Sequence, residues 1–194
     1  FQHFFNEPET ERKTLKSYLA PLSKKIEGVA HTESYDLSAY EDMLNLYGSV
    51  VLKPIAGCMM AGVSLLSNNN DLVQLKKASG LSDVYLKENY VLQEPLSGEE
   101  KRLIVLNGEY IGSRVYTNRK TPWAQNNQES IAVYEPKREE VDIAVRAAES
   151  IDAYLLAVDF IGSRVNELNG TGSNMLFKDA NNNVLLNLLP NVIS

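Results

Sequence analysis

Apolar residues recur at helical spacing in some stretches of this chain and run together or alternate in others. In residues 8–20, PETERKTLKSYLA, charges fill the first turn and Leu15, Tyr18 and Leu19 share a face. This predicts a helix with Thr10 as its N-cap. Residues 37–47, LSAYEDMLNLY, align Leu37, Tyr40, Met43, Leu44 and Tyr47 and stop at Gly48, a helix with a glycine C-cap. Residues 70–79 predict a short helix ended by Gly80. The strongest stripe, Val141, Ile143, Ala144, Ala147, Ala148 and Ile151, lies in KREEVDIAVRAAESID. The tail NNNVLLNLLPNVIS predicts a last helix, broken at Pro190.

Between these helices the pattern changes to strands. SVVLKP reads as a buried strand ending at Lys53-Pro54, and GVSLLS as a second one, joined to it by IAGCMMA. NYVLQEPL is a strand interrupted at Pro95. RLIVLNGEYIGSRVYT is the clearest hairpin, because Asn107-Gly108 is the preferred type I′ turn pair between two β-rich runs. A Pro/Asn/Gln-rich loop covers residues 120–131, and YLLAVDFIG and SRVNELN pair across Gly162-Ser163. Helices alternating with mostly antiparallel hairpins predict an α+β fold.

Composition narrows the class. The chain has 194 residues, 44% of them hydrophobic and 23% charged, as in ordinary globular proteins. A net charge of −6 supplies no basic stripe for nucleic acid. One cysteine, Cys58, excludes an internal disulfide and a cysteine-built zinc site. His3 and His31 read as surface residues, and no apolar run approaches the ~20 residues of a membrane span. The chain begins with Phe1, which reads as trimming, processing or a domain of something longer.

Four features carry chemistry. The first is LLAVDFIGSRVNELNGTGSN, residues 155–174, which sets Asp159, Glu167 and Asn169 in an otherwise apolar segment. If the two runs are neighbouring strands, Glu167 and Asn169 share a face, because strand side chains alternate. Two carboxylates and an amide oxygen suit Mg²⁺, and the bland alternative is a turn hydrogen bond beside an exposed glutamate. The second is Lys53, at a strand end before a loop of small residues, where an ammonium can meet a polyphosphate or simply snorkel. The third is VLQEPLSGEEKR, whose proline-broken strand leaves backbone groups for an adenine edge or marks a plain edge strand. The fourth is Arg102 and Arg114 on the two hairpin arms, able to neutralise phosphoryl charge or to be merely solvated.

Taken in order, these motifs resemble the ATP-grasp superfamily, and most closely its glutathione synthetase-like and ribosomal-protein glutamate ligase-like branch. The resemblance runs through VVLKP, VLQEPLSGEEKR, VLNGEYIGSR, W-x-x-N, AVDFI and VNELNGTG, from about residue 10 to about 176. It implies two α+β lobes with antiparallel sheets clasping ATP. Residues 1–19 would pack as a helix on the larger lobe, 20–92 would form the smaller lobe with a mobile 57–62 lid, and 93–194 the larger lobe. It implies an ATP- and Mg²⁺-dependent carboxylate–amine ligase working through an acyl-phosphate. Lys13 and Lys53 would contact phosphates, Gln93, Glu94 and Leu96 would line the adenine pocket, and Glu100 would lie near the ribose. Asp159, Glu167 and Asn169 would hold one or two Mg²⁺, with Mn²⁺ as a substitute. Arg102 and Arg114 are the candidate catalytic residues. The partners implied are a small-molecule or peptide carboxylate and amine, with no nucleic acid and no membrane. A separate N-terminal substrate domain or a homo-oligomer would complete the site, in the cytoplasm.

The chain departs from that pattern. Met59 and Met60 occupy a loop that normally carries more glycine, with Gly57 and Gly62 remaining. The arginine expected on the second hairpin arm falls at Tyr116, two residues after Arg114. WAQNN lacks the basic residue before Asn126, and SI stands where a glycine pair is usual. Two alternatives follow: a nucleotide-binding or regulatory module that does not ligate, and a small-molecule kinase.

Overall fold

The computed structural model of the protein describes residues 6–56, 61–117 and 130–170. Residues 57–60 of the expected lid, the expected loop as far as residue 129 and the C-terminal helix lie outside the described residues. The chain divides into two compact units, Leu15–Leu96 and Ser97–Ser194 with Phe1–Thr14.

In the first unit a 3-10 turn (Lys16–Tyr18) leads into helix α2 (Leu19–Ser23), which follows α1 (Pro8–Arg12) of the other unit. The single helix expected over 8–20 is therefore two short ones. Leu15 between them is extended, with ψ of 146°, and 39% exposed rather than part of a buried stripe. Glu7, not Thr10, occupies the N-cap position, with Pro8 in the first turn where its missing N–H is harmless. Thr10 is buried inside α1.

The sheet of this unit has four antiparallel strands in the order β1 (Thr32–Ser34), β4 (Tyr90–Gln93), β2 (Val50–Pro54), β3 (Ser64–Leu66). Helices α3 (Leu37–Tyr47), α4 (Asn69–Ser79) and α5 (Asp83–Asn89) surround its core. Each starts on a side-chain cap: Asp36 accepts from Ser38 N, Asn68 from Asp71 N and Ser82 from Tyr85 N. Alternation along β2 and β4 sends Val50, Leu52 and Leu92 into a cluster with Tyr35, Tyr40, Met43 and Leu86. It sends Lys53 and Gln93 to the opposite face.

The second unit carries a five-stranded antiparallel sheet, ordered β7 (Ser130–Val133), β6 (Glu109–Thr117), β5 (Glu100–Leu106), β8 (Leu155–Ile161), β9 (Arg164–Asn169). Positive φ at Asn107 (49°) and Gly108 (76°) closes the β5–β6 hairpin as its sequence predicts. Helix α6 (Arg138–Ser150) buries Ala144, Ala147 and Ala148 of its stripe. It is tied to the sheet face that carries Lys101 by a 2.6 Å ion pair from Lys101 to Glu140. Among the described residues no helix is long and apolar enough to cross a membrane.

Gly162 turns β8 into β9 at φ of 61°, and a Cβ there would stand 2.6 Å from the Ser97 carbonyl oxygen. Gly108 is also left-handed, but a Cβ there meets nothing within 4 Å. Left-handed strain alone costs about 1–3 kcal/mol. Gly162→Ala is therefore expected to lower the melting temperature clearly more than Gly108→Ala in parallel thermal denaturation. Equal losses would count against the close approach.

Candidate active site

The strand registers of the larger unit place five residues in one row. Val133 of β7 pairs with Arg114 of β6, Arg114 with Arg102 of β5, Arg102 with Asp159 of β8, and Asp159 with Glu167 of β9. Directly paired residues point to the same face. Two guanidiniums and two carboxylates thus lie side by side, and Asn169 follows two residues after Glu167 on that face. This face is the reverse of the one that carries Lys101 and α6.

A slip in register between Asp159 and Phe160 makes this arrangement compatible with a core. Strict alternation from Glu167 would turn Val165 to the polar face. The slip pairs Val165 with Phe160 instead, and both are fully buried. β9 thereby presents Glu167 and Asn169 on one face and Leu168 and Val165 on the other.

Asp159 is 4% exposed and accepts three hydrogen bonds. Arg102 reaches it as a fork, Nε to Oδ1 and Nη2 to Oδ2, both 2.6 Å. Asn169 Nδ2 donates to Oδ2 at 2.8 Å. Burial alone disfavours the Arg102 guanidinium, but Asp159, helped by Tyr116 and Glu167, more than reverses this and raises its pKa. Burial pushes the neighbouring Tyr116 hydroxyl up. The Arg114 guanidinium lies 5.0 Å from the Tyr116 ring centroid, a cation–π contact.

The donor set fits a hard divalent cation. A carboxylate offers about four acceptor positions, so Asp159, with three filled, retains one for a monodentate bond. Asn169 commits its Nδ2 to Asp159, so its Oδ1 could serve as a ligand atom, and Glu167 could supply a second carboxylate. Such a set leaves coordination positions for water and phosphate oxygen, as Mg²⁺ prefers. Among the described residues no three His, Cys, Asp or Glu side chains gather as a metal site.

The other expected residues are placed as follows. Lys53 is 3% exposed on β2 and donates to Gln93 Oε1 across the β2–β4 pair. Glu94 is tied twice to His31: its Oε1 accepts from His31 N and its N donates to His31 O, both 2.9 Å. The Glu94 side chain is thus bound to backbone. Leu96 is buried in the same unit. Glu100 opens β5 beside Tyr116 and Ile161. Lys13 belongs to the other unit, where it pairs with Asp152 Oδ2 at 3.3 Å. His31 is half-buried, with Nδ1 2.9 Å from the Tyr47 hydroxyl and Nε2 3.2 Å from Glu33. The sequence reading missed the buried pair Lys101 and Glu140 on the α6 side with half-buried Tyr134 beside it, and Thr32 beside Gln93. Lys101 stands between Glu100 and Arg102, ahead of the apolar run of β5, so its neighbours give no sign that it is buried.

The RimK-like ATP-grasp domain model matches residues 19–189, and the chain belongs to that family. Lys13 lies outside the matched span. Solved structures agree in fold. The ATP-grasp ligase PsnB, complexed with minimal precursor, Mg and ADP, has a TM-score of 0.66 at 22% identity, covering 93% of this chain and 58% of its own. The D-alanine–D-alanine ligase of Bacillus anthracis has 0.62 at 13% identity, covering 86% and 59%. The D-cycloserine synthetase DcsG has 0.60 at 20% identity, covering 81% and 62%. The chain therefore spans about three fifths of the length of the structures it matches. No curated protein sequence matches it significantly.

Proposed function

We propose that the chain carries the nucleotide and metal machinery of an ATP-dependent carboxylate–amine ligase. One observation supports this most: the single-face row Arg114, Arg102, Asp159, Glu167 with Asn169 beside it. It sets cations next to metal-type oxygen donors, which is the arrangement phosphoryl transfer requires. In this reading the substrate carboxylate oxygen attacks the γ-phosphorus of ATP and ADP departs, leaving an acyl-phosphate. The amine then attacks the acyl carbon, inorganic phosphate departs, the amine loses a proton and an amide remains.

Each residue has a distinct part. Asp159, Glu167 and Asn169 would hold Mg²⁺, which when bound neutralises phosphate charge and aligns the β- and γ-phosphates. Arg102 fixes Asp159 in one orientation through its two-point fork. Arg114 adds positive charge on the same face. Lys53 binds phosphate oxygen, while Glu94 and Leu96 belong to the adenine side and Glu100 to the ribose side. Glu94 serves there through its main chain, because its carboxylate is bound to His31. PsnB, solved with a precursor peptide, makes a peptide acceptor as reasonable a class as a free amino acid. ATP use and the single Cys58 suit the cytoplasm.

The test is phosphate release from Mg-ATP across a matrix of carboxylates and amines, with ¹⁸O-labelled carboxylate for any active pair. Ligation predicts release only when both partners are present, with one ¹⁸O transferred to phosphate. A stable phosphorylated product with no amine requirement would identify a kinase instead. ATP binding without turnover on any pair would favour a non-catalytic module.

A further inference from the structure

We infer that Thr32 is a positioning residue that orients Lys53 toward phosphate through the side chain of Gln93, an inference that rests on the ATP-binding reading above. Three buried polar side chains form a directed chain on the β1–β4–β2 face. Lys53 Nζ donates to Gln93 Oε1, Gln93 Nε2 donates to Thr32 Oγ1 at 3.2 Å, and Thr32 Oγ1 donates to Ala30 O at 2.9 Å. Thr32 and Gln93 are 0% exposed and Lys53 is 3% exposed. All four residues lie in the Leu15–Leu96 unit.

The chain has only one consistent direction. Thr32 has a single hydroxyl proton, and Ala30 O takes it, so Oγ1 faces Gln93 as an acceptor. An acceptor there demands the NH₂ end of the Gln93 amide. The carbonyl end must then face Lys53, where an ammonium, which has donors only, requires it. Register supports the same order, since Gln93 pairs with Thr32 on one side and with Val51 on the other, two residues before Lys53. The three groups behind the ammonium are neutral. They fix where it points by neutral hydrogen bonds. The Gln93 amide is accordingly an orienter of Lys53 and not an adenine contact.

Thr32→Val keeps the shape and removes the acceptor. Gln93 can then turn its NH₂ toward Lys53, and donor faces donor. Isothermal titration or competition binding should be run with Mg-ATP and, separately, with adenosine, which lacks the phosphates. A hydrogen bond to a charged group is worth about 10-fold or somewhat more in an equilibrium. Mg-ATP affinity is therefore expected to fall about 10-fold in Thr32→Val, with adenosine affinity unchanged and Thr32→Ser close to wild type. In a Lys53→Met background Thr32→Val should cause no further loss for Mg-ATP. Parallel weakening of adenosine and Mg-ATP, an undiminished effect without Lys53, or no effect at all would overturn the inference. Wild-type protein that binds no Mg-ATP would instead remove the reading on which it rests.

Discussion

The Glu167→Ala/Asn169→Ala double variant is expected to lose Mg²⁺-dependent ATP turnover by at least about 100-fold, beyond the effect of disturbing a metal site's outer partners. Both side chains are half-exposed on the face of β9 opposite Val165 and Leu168, so their removal opens no core cavity. The thermal midpoint should accordingly stay within a few degrees of wild type. Asp159 is a poorer target for this purpose. It is 4% exposed and forked by Arg102, and its removal would strand a buried guanidinium. Steady-state turnover titrated with Mg²⁺ makes the measurement. Undiminished turnover in the double variant would mean that the metal is held elsewhere.

The largest stability effect is expected on the reverse face of the same sheet. Lys101 and Glu140 meet at 2.6 Å with side chains 10% and 4% exposed, and Tyr134 donates to the other Glu140 oxygen at 2.6 Å. Removing one partner of a buried pair costs about 3–5 kcal/mol, because the other is left buried and charged. For a chain of this size that is a fall of roughly 10 °C for Glu140→Ala. A Lys101→Met/Glu140→Leu double variant, apolar on both sides, should recover most of the loss.

The same pair fixes the pH dependence. Burial alone would raise the Glu140 pKa, but Lys101, Tyr134 and the Lys137 backbone outweigh it and hold it down. Its contribution is present above the ordinary carboxylate range and is lost as pH falls through the depressed value. Burial likewise opposes the Lys101 charge, and Glu140 with Tyr134 reverses this and raises its pKa. That contribution is complete below the ordinary lysine value and is lost as pH rises through the raised one. The stability gap between wild type and Glu140→Ala, followed by denaturant unfolding, should be widest near neutral pH and narrow on the acid side. A gap that does not change down to strongly acidic pH would contradict the ion-pair account.

What could be read from the sequence depended on how local the signal was. Helix α3 and the Asn107-Gly108 turn are set by residues within a few positions of each other, and both stand where the pattern put them. β1 escaped notice because it is three residues long and shows no full alternation. α5 escaped because a seven-residue helix carries little period, although Ser82 marks its start. The expected helix over 8–20 failed because Leu15 is extended, a choice that propensity does not reveal.

The candidate site divides in the same way. Glu167 and Asn169 share a face by strand period alone, so they could be grouped from spacing. Their alignment with Asp159, and the fork from Arg102, depends on pairings between residues 57 apart and on a register slip. Neither leaves a mark in a single sequence. Thr32 is hidden for the same reason, since 61 positions separate it from Gln93.

The central claim, a Mg²⁺-dependent ATP site on this chain, is met most directly by isothermal titration of ATP into the wild-type protein, once with Mg²⁺ and once with EDTA. The account predicts saturable one-site binding with Mg²⁺ and binding weaker by about 10-fold or more without it, as expected when the metal joins carboxylates to phosphates. ATP binding that is indifferent to Mg²⁺, or no ATP binding under either condition, would contradict it.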